Sequence, residues 1–472
     1  MDAMEWFKKI SAIPRPSGYE EQITEFLVDI AKARQYHWRI DHVGNVCIDV
    51  PGKGRGAGKP TLVLQSHMDM VCEKLPDVEH NFMTDPIRLR EENGYLSAVG
   101  TTLGADNGVG IALALSAADQ PNCPPLELLF TVDEEVSMLG AKNMQPNFFH
   151  GKYLINLDSE DDQVFTIGCA GSLLVTFTLP VVFDSEYQAQ VKGEFVVDKL
   201  LGGHSGTDIH RGRSAATKVC AQQLLAFTEA GINFRIISVD AGNASNAIAR
   251  LGKIQLAFAT VEDFQKAQDL LLDLSSVNEE EKPLLTLKKI DTRAQPFDIV
   301  SHNRFIAFIY ELPHGPLIYY DRAAGLVETS CNFASIKKDE GNNYIMKLFY
   351  RSFVERKFVK ISEQLNRIAD RHSVKIEISD PDPAWPPQKD NDLLNIATSC
   401  YQKLFNRQVA VAPIHAGLEC GYLEKLSPNL SCISIGPNIL DAHSPDERLE
   451  IASLSRTEQL LFNIINDFIQ SF

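Results

Sequence analysis

Short apolar runs alternate with helix-like patterns at the two ends of this chain, and a long stretch of different character separates them. Strand-like runs stand at 61–65, 126–132 and 152–157, with helical patterns between them. The same kind of pattern returns at 431–436 and is followed by an amphipathic helical pattern at 451–469. Strands that alternate with helices are typical of a largely parallel sheet covered by helices. The sequence therefore predicts an α/β/α domain with a mixed, mostly parallel sheet, interrupted by a second domain.

The interrupting stretch contains strand-like segments whose residues alternate in polarity, which is typical of antiparallel strands. Two comparable sets of strands and helices occur within it, so we expect an inserted α+β lid domain that is ferredoxin-like and possibly duplicated. A segment rich in Pro and Asp at 379–392 looks like the return linker. We therefore expect 1–180 and 390–472 to form one domain and 181–389 to form the insertion.

The first helical pattern, at 17–35, begins with Ser17 and has Glu20 three positions later. This spacing is typical of a capping box, in which each side chain binds the backbone N–H of the other residue. We therefore expect Ser17 to cap this helix.

Composition excludes several classes of protein. The chain has 45 Lys and Arg against 62 Asp and Glu, a net charge of −17, which disfavours binding to nucleic acid because such binding needs basic surfaces. The longest apolar runs fall short of the roughly 18 residues of a membrane span. The nine cysteines include no C-x-x-C pair, and the N-terminus lacks a signal-peptide pattern. We expect a cytoplasmic protein without membrane contact.

Five segments carry side chains that could bind a metal, and four of these follow strand-like runs. In open α/β sheets, functional sites form at the carboxyl ends of the strands. Each segment alone has an ordinary explanation, such as a hydrogen-bonded histidine, a helix cap or a solvated acidic turn. Their convergence on one edge of the sheet favours a shared site. The residues are His67 with Asp69, Asp106, Glu134 with Glu135, Asp158 and His443.

These imidazoles and carboxylates suit divalent ions such as Zn²⁺, with Mn²⁺ or Co²⁺ possible. Two ions at roughly 3.5–4 Å separation would need a bridging carboxylate. Adjacent Glu134 and Glu135 would point to opposite sides of a regular strand, so both reach one site only where the strand has ended. One of them could then bind metal while the other accepts a proton.

The motifs resemble those of the aminoacyl-histidine dipeptidases, which are cytosolic Xaa-His dipeptidases. They belong to the co-catalytic zinc peptidase family that also includes carnosinases and peptidase T. The resemblance extends over essentially the whole chain, with the motifs in the family's order. They are HMDMV (67–71), GTTLGADNGVG (100–110), TVDEEVSMLGAKNM (131–144), NLDSED (156–161), GGHSG (202–206), HAGLECGYL (415–423) and AHSPDERLEI (442–451).

The resemblance implies a catalytic domain with two divalent metal ions. His67 and Asp158 would hold one ion, Glu135 and His443 would hold the other, and Asp106 would bridge them. It further implies that Asp69 orients His67 and that Glu134 is the general base, which then protonates the leaving amine.

The resemblance also implies roles for residues outside the proposed ligand set. His204 would stabilise the tetrahedral oxyanion. Asn246 lies where the family has Asn before an Ile-Pro pair, but this chain has Ile-Ala at 248–249. His415 and Gly417 would line the substrate pocket. Arg351 would be either a clamp for the substrate carboxylate or a plain surface residue.

The implied function is a metal-dependent dipeptidase that prefers carnosine-like Xaa-His substrates, and a homodimer through the lid domain is implied by analogy. A broader dipeptidase or an amide deacylase could use the same two-metal site. A nucleotide-binding protein is disfavoured because the Gly-rich stretches at 52–58 and 100–110 do not fit the P-loop pattern, and because Asp106 would repel a phosphate. A non-catalytic scaffold is disfavoured because every expected ligand position is filled.

Overall fold

The computed structural model describes residues 1–272, 283–323, 325–388 and 390–472. Within it the chain forms two compact units. The first comprises Met1–Cys169, Trp385–Ile414 and Leu418–Phe472, and the second comprises Ala170–Ala384 and His415–Gly417. The second unit begins about ten residues before the predicted insertion because the strand Gly171–Pro180 pairs within its sheet. Lys389, the last residue of the predicted insertion, lies outside the described residues, as does 273–282.

The sheet of the first unit is mixed and mostly parallel at its centre, as predicted. Four neighbouring strands are parallel, and strands near the two edges add antiparallel pairings. In spatial order the eight strands are His37–Ile40, Val46–Val50, Leu126–Thr131, Leu62–His67, Tyr153–Asn156, Ser431–Ser434, Val164–Cys169 and Ala410–Ile414. A smaller antiparallel sheet consists of Leu89–Glu92, Tyr95–Ala98, Arg448–Glu450 and Ile439–Leu440.

Helices cover this sheet, and one of them is buried along almost its whole length. Apart from Asp106 and Asn107, the helix Ala105–Ala118 consists of apolar or small residues, which is typical of a helix enclosed by other elements. It packs against the strand Leu62–His67 and against two other helices. The helical segments of the unit are Ala3–Ile10, Glu21–Ala33, Gly54–Gly56, Ala105–Ala118, Glu134–Ser137, Leu139–Asn143, Asp392–Phe405, Cys420–Leu426 and Ile451–Ser471.

The predicted capping box at Ser17 is wrong. The helix begins at Glu21, its N-cap is Glu20, and no side chain caps it. The Ser17 hydroxyl donates instead to Asp69 Oδ2 at 2.7 Å, 52 residues along the chain. A tertiary hydrogen-bond partner has replaced the local one.

The sheet of the second unit is antiparallel throughout and contains nine strands. Eight of them lie in the order Leu284–Lys289, Val191–Asp198, Gly252–Phe258, Phe234–Ala241, Leu326–Lys338, Asn343–Ser352, Gly171–Pro180 and Lys375–Ile378, and Gly315–Asp321 pairs with Leu326–Lys338. The helical segments of this unit are Ile209–Arg211, Ala216–Glu229, Val261–Asp269, Ile299–Glu311 and Arg356–His372.

This sheet consists of two halves with the same strand order. If the four strands of each half are numbered along the chain, both halves read 4-1-3-2 in space, with two helices each, which is the ferredoxin-like order. The first half, from Val191 to Lys289, is inserted between the first strand and first helix of the second. The halves meet where Ala241 pairs with Ile336.

Each unit has its own hydrophobic core. The main core of the first unit lies around the strands Leu62–His67 and Leu126–Thr131, whereas that of the second unit is rich in phenylalanine side chains such as Phe177, Phe195 and Phe234. None of the helices in the described ranges combines the length and apolar composition that a membrane crossing requires.

Candidate metal centre

Asp106 lies between two imidazole rings in the first unit. Its Oδ1 is 2.9 Å from His67 Nε2, and its Oδ2 is 3.0 Å from His443 Nε2. Asp158 Oδ1 is 3.4 Å from His67 Nε2, and Glu135 Oε2 is 3.1 Å from His443 Nε2. These contacts define two half-sites that share Asp106, and within each the potential ligand atoms lie within 4.8 Å of one another.

The order of the parallel strands explains why residues distant in sequence meet here. His67 is the last residue of Leu62–His67, and Asp158 follows the neighbouring strand Tyr153–Asn156. The strand on the other side, Leu126–Thr131, leads into the short helix that carries Glu135. The carboxyl ends of these three strands therefore deliver one ligand each to the same edge.

Asp69 connects His67 to the turn that carries both glutamates. Its side chain is fully buried and accepts from His67 Nδ1 at 3.2 Å, which directs the other ring nitrogen toward Asp106. It also accepts from the backbone N–H groups of Glu134 at 3.0 Å and Glu135 at 3.2 Å. Burial opposes its ionisation, but these hydrogen bonds, above all that with His67, lower the pKa of Asp69. Orienting partners of this kind are usual for metal-bound imidazoles.

Glu134 forms a third close group with His67 and Glu135. Burial raises the pKa of Glu134 well above its usual value, and the nearby carboxylates of Asp158 and Glu135 add to the effect. A carboxylate in such surroundings accepts a proton more readily than an exposed one. Both glutamates reach the site because the strand has ended at Thr131, as the sequence required.

The charges of this cluster fit divalent cations. Hydrogen bonds to Asp106 and Glu135 raise the pKa of His443 to about 11, so its ring carries a proton that a cation would displace. Burial and the charge of Asp106 raise the pKa of Glu135 to about 7. Glu135 Oε1 is also buried without a hydrogen-bond partner in the described structure. Two imidazoles and three carboxylates, of which Glu135 has an unsatisfied oxygen, form a donor set that matches two divalent ions.

A buried polar network beneath this cluster includes residues that sequence reasoning missed. Glu419 Oε2 accepts from Gln65 Nε2 and from Thr131 Oγ1, both at 2.6 Å, and Asn156 Nδ2 donates to Gln65 Oε1 at 2.6 Å. Burial raises the pKa of Glu419 to about 7. The sequence signal that could have revealed this network is a polar residue in each of three otherwise apolar strand runs, namely Gln65, Thr131 and Asn156.

The predicted substrate residues lie in the second unit, where His204 and Arg351 are in contact. His204 Nδ1 accepts from the backbone N–H groups of Gly206 at 3.3 Å and Thr207 at 3.1 Å. Arg351 Nη2, which can only donate, lies 3.2 Å from His204 Nε2. A guanidinium beside this ring suits an anionic oxygen atom as a further acceptor. Arg351 is 5% exposed, so the alternative of a plain surface residue is wrong.

His415 and Gly417 belong to the three-residue segment that joins this unit. His415 Nε2 is 2.8 Å from Ser330 Oγ, and its ring lies against Phe353. Burial, with the charge of Arg351, lowers the pKa of His415 to about 3, so the ring is neutral.

Asn246 is exposed, and its backbone carbonyl accepts from the N–H group of Ser205, the residue after His204, at 2.7 Å. The predicted residues thus form two clusters, one in each unit.

Comparison with known proteins gives a consistent result. Residues 63–467 match the family described as peptidase family M20/M25/M40. The chain is 34% identical over 480 residues to the cytosol non-specific dipeptidase of Escherichia coli (strain K12), with 98% of this chain and 96% of the relative covered.

Two solved structures show the same fold. The aminoacylhistidine dipeptidase of Vibrio alginolyticus matches with a TM-score of 0.83 and 31% identity, over 98% of this chain and 96% of the other. Human carnosine dipeptidase 1 matches with a TM-score of 0.54 and 13% identity, over 99% and 98% of the two chains. At that identity the human protein is evidence for the fold alone.

Proposed function

The chain belongs to peptidase family M20/M25/M40 and is a metallopeptidase, and we propose that it is a two-metal dipeptidase that prefers substrates with a C-terminal histidine. The observation that carries the two-metal assignment is the position of Asp106, whose two oxygens face His67 and His443 separately. One carboxylate shared by two imidazoles is the arrangement that a pair of cations requires.

We assign His67 and Asp158 to one cation, Glu135 and His443 to the other, and Asp106 to both. Zn²⁺ is the proposed ion because imidazole and carboxylate donors suit it, with Mn²⁺ or Co²⁺ as substitutes. When bound, such ions polarise a carbonyl oxygen and lower the pKa of water.

Glu134 is the proposed general base. Its buried carboxylate accepts a proton from the attacking water and later gives that proton to the departing amine nitrogen. Asp69 holds the backbone of Glu134 and the ring of His67, so that both keep their orientation during the reaction. His204 is assigned to stabilise the negative oxygen that develops on the scissile carbonyl, a contribution that is often the largest single one in catalysis.

Substrate selection is assigned to the second unit. Arg351 is a buried guanidinium suited to the terminal carboxylate of a dipeptide. The neutral ring of His415 and the adjacent Phe353 offer a polar and aromatic surface suited to an imidazole side chain, and Gly417 and Asn246 are assigned to the same pocket. The match to a protein named aminoacylhistidine dipeptidase supports this preference.

A broader dipeptidase is the second candidate, and the name of the Escherichia coli relative, cytosol non-specific dipeptidase, favours it. The same name supports our proposal of a cytosolic location. A homodimer formed through the second unit is proposed from the family resemblance, and sedimentation of the purified chain would test it.

Turnover of a substrate panel tests the proposed specificity. The Zn²⁺-loaded protein should hydrolyse Ala-His and β-Ala-His with kcat/KM at least about tenfold above that for Ala-Ala, because a lost buried contact is worth 1–3 kcal/mol. An N-acetyl amino acid should not be cleaved. The chelated protein is the control for metal dependence.

The outcomes separate the candidates. Equal kcat/KM for Ala-His and Ala-Ala would establish the broader dipeptidase. Faster cleavage of the N-acetyl amino acid than of any dipeptide would replace both with an amide deacylase. Full activity after chelation would overturn the metal-dependent mechanism.

A further inference from the structure

A buried arginine joins two segments that carry the proposed ligands. Arg15 is 1% exposed, and its Nη1 donates to the carbonyl oxygens of Met68 at 3.0 Å and Asp69 at 2.6 Å. Its Nη2 donates to the carbonyl oxygen of Gly104, two residues before Asp106. One guanidinium therefore fixes the segment after the first ligand strand relative to the turn that carries the shared carboxylate.

The glycines of that turn make room for the guanidinium. A methyl group added at Gly104 would lie 2.6 Å from Arg15 Nη2, and one added at Gly108 would lie 2.7 Å from the same atom. Gly104 also has a φ of +68°, which disfavours a larger residue. Gly104 and Gly108 are thus accounted for by the close approach of an internal cation rather than by a phosphate ligand.

A buried glutamate holds the same turn from the other ligand segment. Glu447 is 2% exposed and stands four residues after His443. Its Oε2 accepts from the backbone N–H groups of Leu103 at 2.7 Å and Gly104 at 2.9 Å, and its Oε1 accepts from that of Ala105 at 2.8 Å. The backbone N–H group of Asp106 is a fourth donor at 3.4 Å, and such charge-assisted contacts to a carboxylate are strong.

We propose that Arg15 and Glu447 are positioning residues that together hold Asp106 at the distance from His67 and His443 that allows it to serve two cations. Arg15 ties the Asp106 turn to the His67 segment, and Glu447 ties it to the His443 segment. The negative charge of Asp69, and to a smaller extent that of Glu447, offsets part of the cost of burying Arg15. The inference rests on the two-metal site proposed above and extends it, since both residues act through backbone groups and neither belongs to the ligand set.

Metal affinity of the variants Arg15→Met and Glu447→Gln tests this role. Each variant keeps the volume of the side chain but removes its charge and several of its hydrogen bonds. Removal of residues that orient metal ligands commonly weakens metal binding by about 10–100-fold. We expect the Co²⁺ affinity of each variant to fall by about that factor when the metal-free protein is titrated with Co²⁺. Visible absorption of bound Co²⁺ reports the coordination directly, and calorimetry gives the stoichiometry.

A second arginine–glutamate pair in the first unit, in which Glu127 is buried and Arg39 is partly exposed, supplies controls. Arg39 Nη2 donates to Glu127 Oε1 at 2.7 Å, and Glu127 also accepts from the backbone N–H groups of His150 and Gly151 at 2.8 Å. The variants Arg39→Met and Glu127→Gln remove the same kinds of contact at another place. They should lower the unfolding temperature of the metal-free protein but leave the Co²⁺ affinity within about twofold of the parent chain.

Wild-type affinity and an unchanged Co²⁺ spectrum in Glu447→Gln and the Arg15 variant would overturn the positioning role. If Arg15→Met does not fold, Arg15→Lys replaces it, because Lys keeps the charge but lacks the planar fork that reaches three carbonyl oxygens. A parent chain that fails to bind two Co²⁺ ions would instead overturn the two-metal site itself, so the two failures are distinguishable.

Discussion

At the residue scale, two adjacent glutamates have different proposed roles, one as general base and one as metal ligand. Glu134 and Glu135 follow the same strand and begin the same short helix, and of the two it is Glu135 that contacts His443. Sequence motifs predicted the pair, and the ended strand predicted that both could reach one site. Which glutamate faces which imidazole depends on the hydrogen bonds from their backbone N–H groups to Asp69, which no local pattern encodes.

Replacement of these two residues should separate proton transfer from metal binding. Glu134→Gln should lower kcat by about 10³-fold while metal analysis still finds two ions per chain, because general-base catalysis is lost but the ligands stay. Glu135→Gln is the matched comparison and should lose one ion. Retained turnover in a Glu134→Gln protein that holds both ions would exclude the proposed base.

At the element scale, the helix Ala105–Ala118 lies unusually close to the strand ends that carry ligands. A methyl group added at Gly110 would lie 2.8 Å from the carbonyl oxygen of Leu157 and 2.8 Å from Cβ of Ser66. These two residues immediately precede Asp158 and His67. We therefore expect the helix to influence the spacing of these two proposed ligands as well as the packing of the core.

Gly110→Ala should cost about 1–3 kcal/mol of unfolding free energy, since overpacking a closed contact forces backbone to move. It should also weaken metal binding, because the displaced strands end in ligands. Urea unfolding of the metal-free protein measures the first effect, and metal titration the second. Gly341→Ala is the control, because an added methyl group there would meet only the side chains of Asn343 and Asp339, and the expected change is within about 0.5 kcal/mol. Equal stability of both variants would refute the close contact.

At the scale of the whole molecule, each unit has its own sheet and core, and a buried histidine makes the stability of the second core depend on pH. His302 is 4% exposed, and its Nδ1 accepts from Ile236 N at 3.3 Å. Burial, with the charge of Arg235, lowers the pKa of His302 to about 4. Between pH 4 and the unfolded value near 6.5, the unfolded chain binds a proton that the folded chain does not.

Stability from this residue is therefore complete above pH 6.5 and is lost as the pH falls toward 4. The loss between pH 7 and 5 should be about 2 kcal/mol for one such group. His302→Asn keeps an acceptor for Ile236 N but has no titratable ring. From pH 7 to pH 5, the unfolding free energy of the variant should therefore fall by about 2 kcal/mol less than that of the parent chain. Urea unfolding of both proteins at pH 7 and pH 5, with chelator present, gives the change in unfolding free energy of each protein, and the two changes are then compared. Parallel pH profiles for the two proteins would contradict the prediction.

The sequence by itself determined the α/β alternation, the interrupted sheet and the positions of the proposed ligands, because strand periodicity and strand-end residues are local signals. The family motifs added the expected roles, and the family itself is confirmed by the comparisons. The ferredoxin-like order of both halves of the second unit agrees with the predicted lid fold.

Only the tertiary structure decided what holds those ligands in place. Arg15 meets Gly104 across 89 residues, Glu447 meets Leu103 across 344, and Gln65 meets Glu419 across 354. Two of these contacts end on backbone carbonyl or N–H groups, which every residue possesses and which therefore leave no trace in the sequence. Side chains that bind the backbone of distant segments can be recognised only once the chain has folded around them.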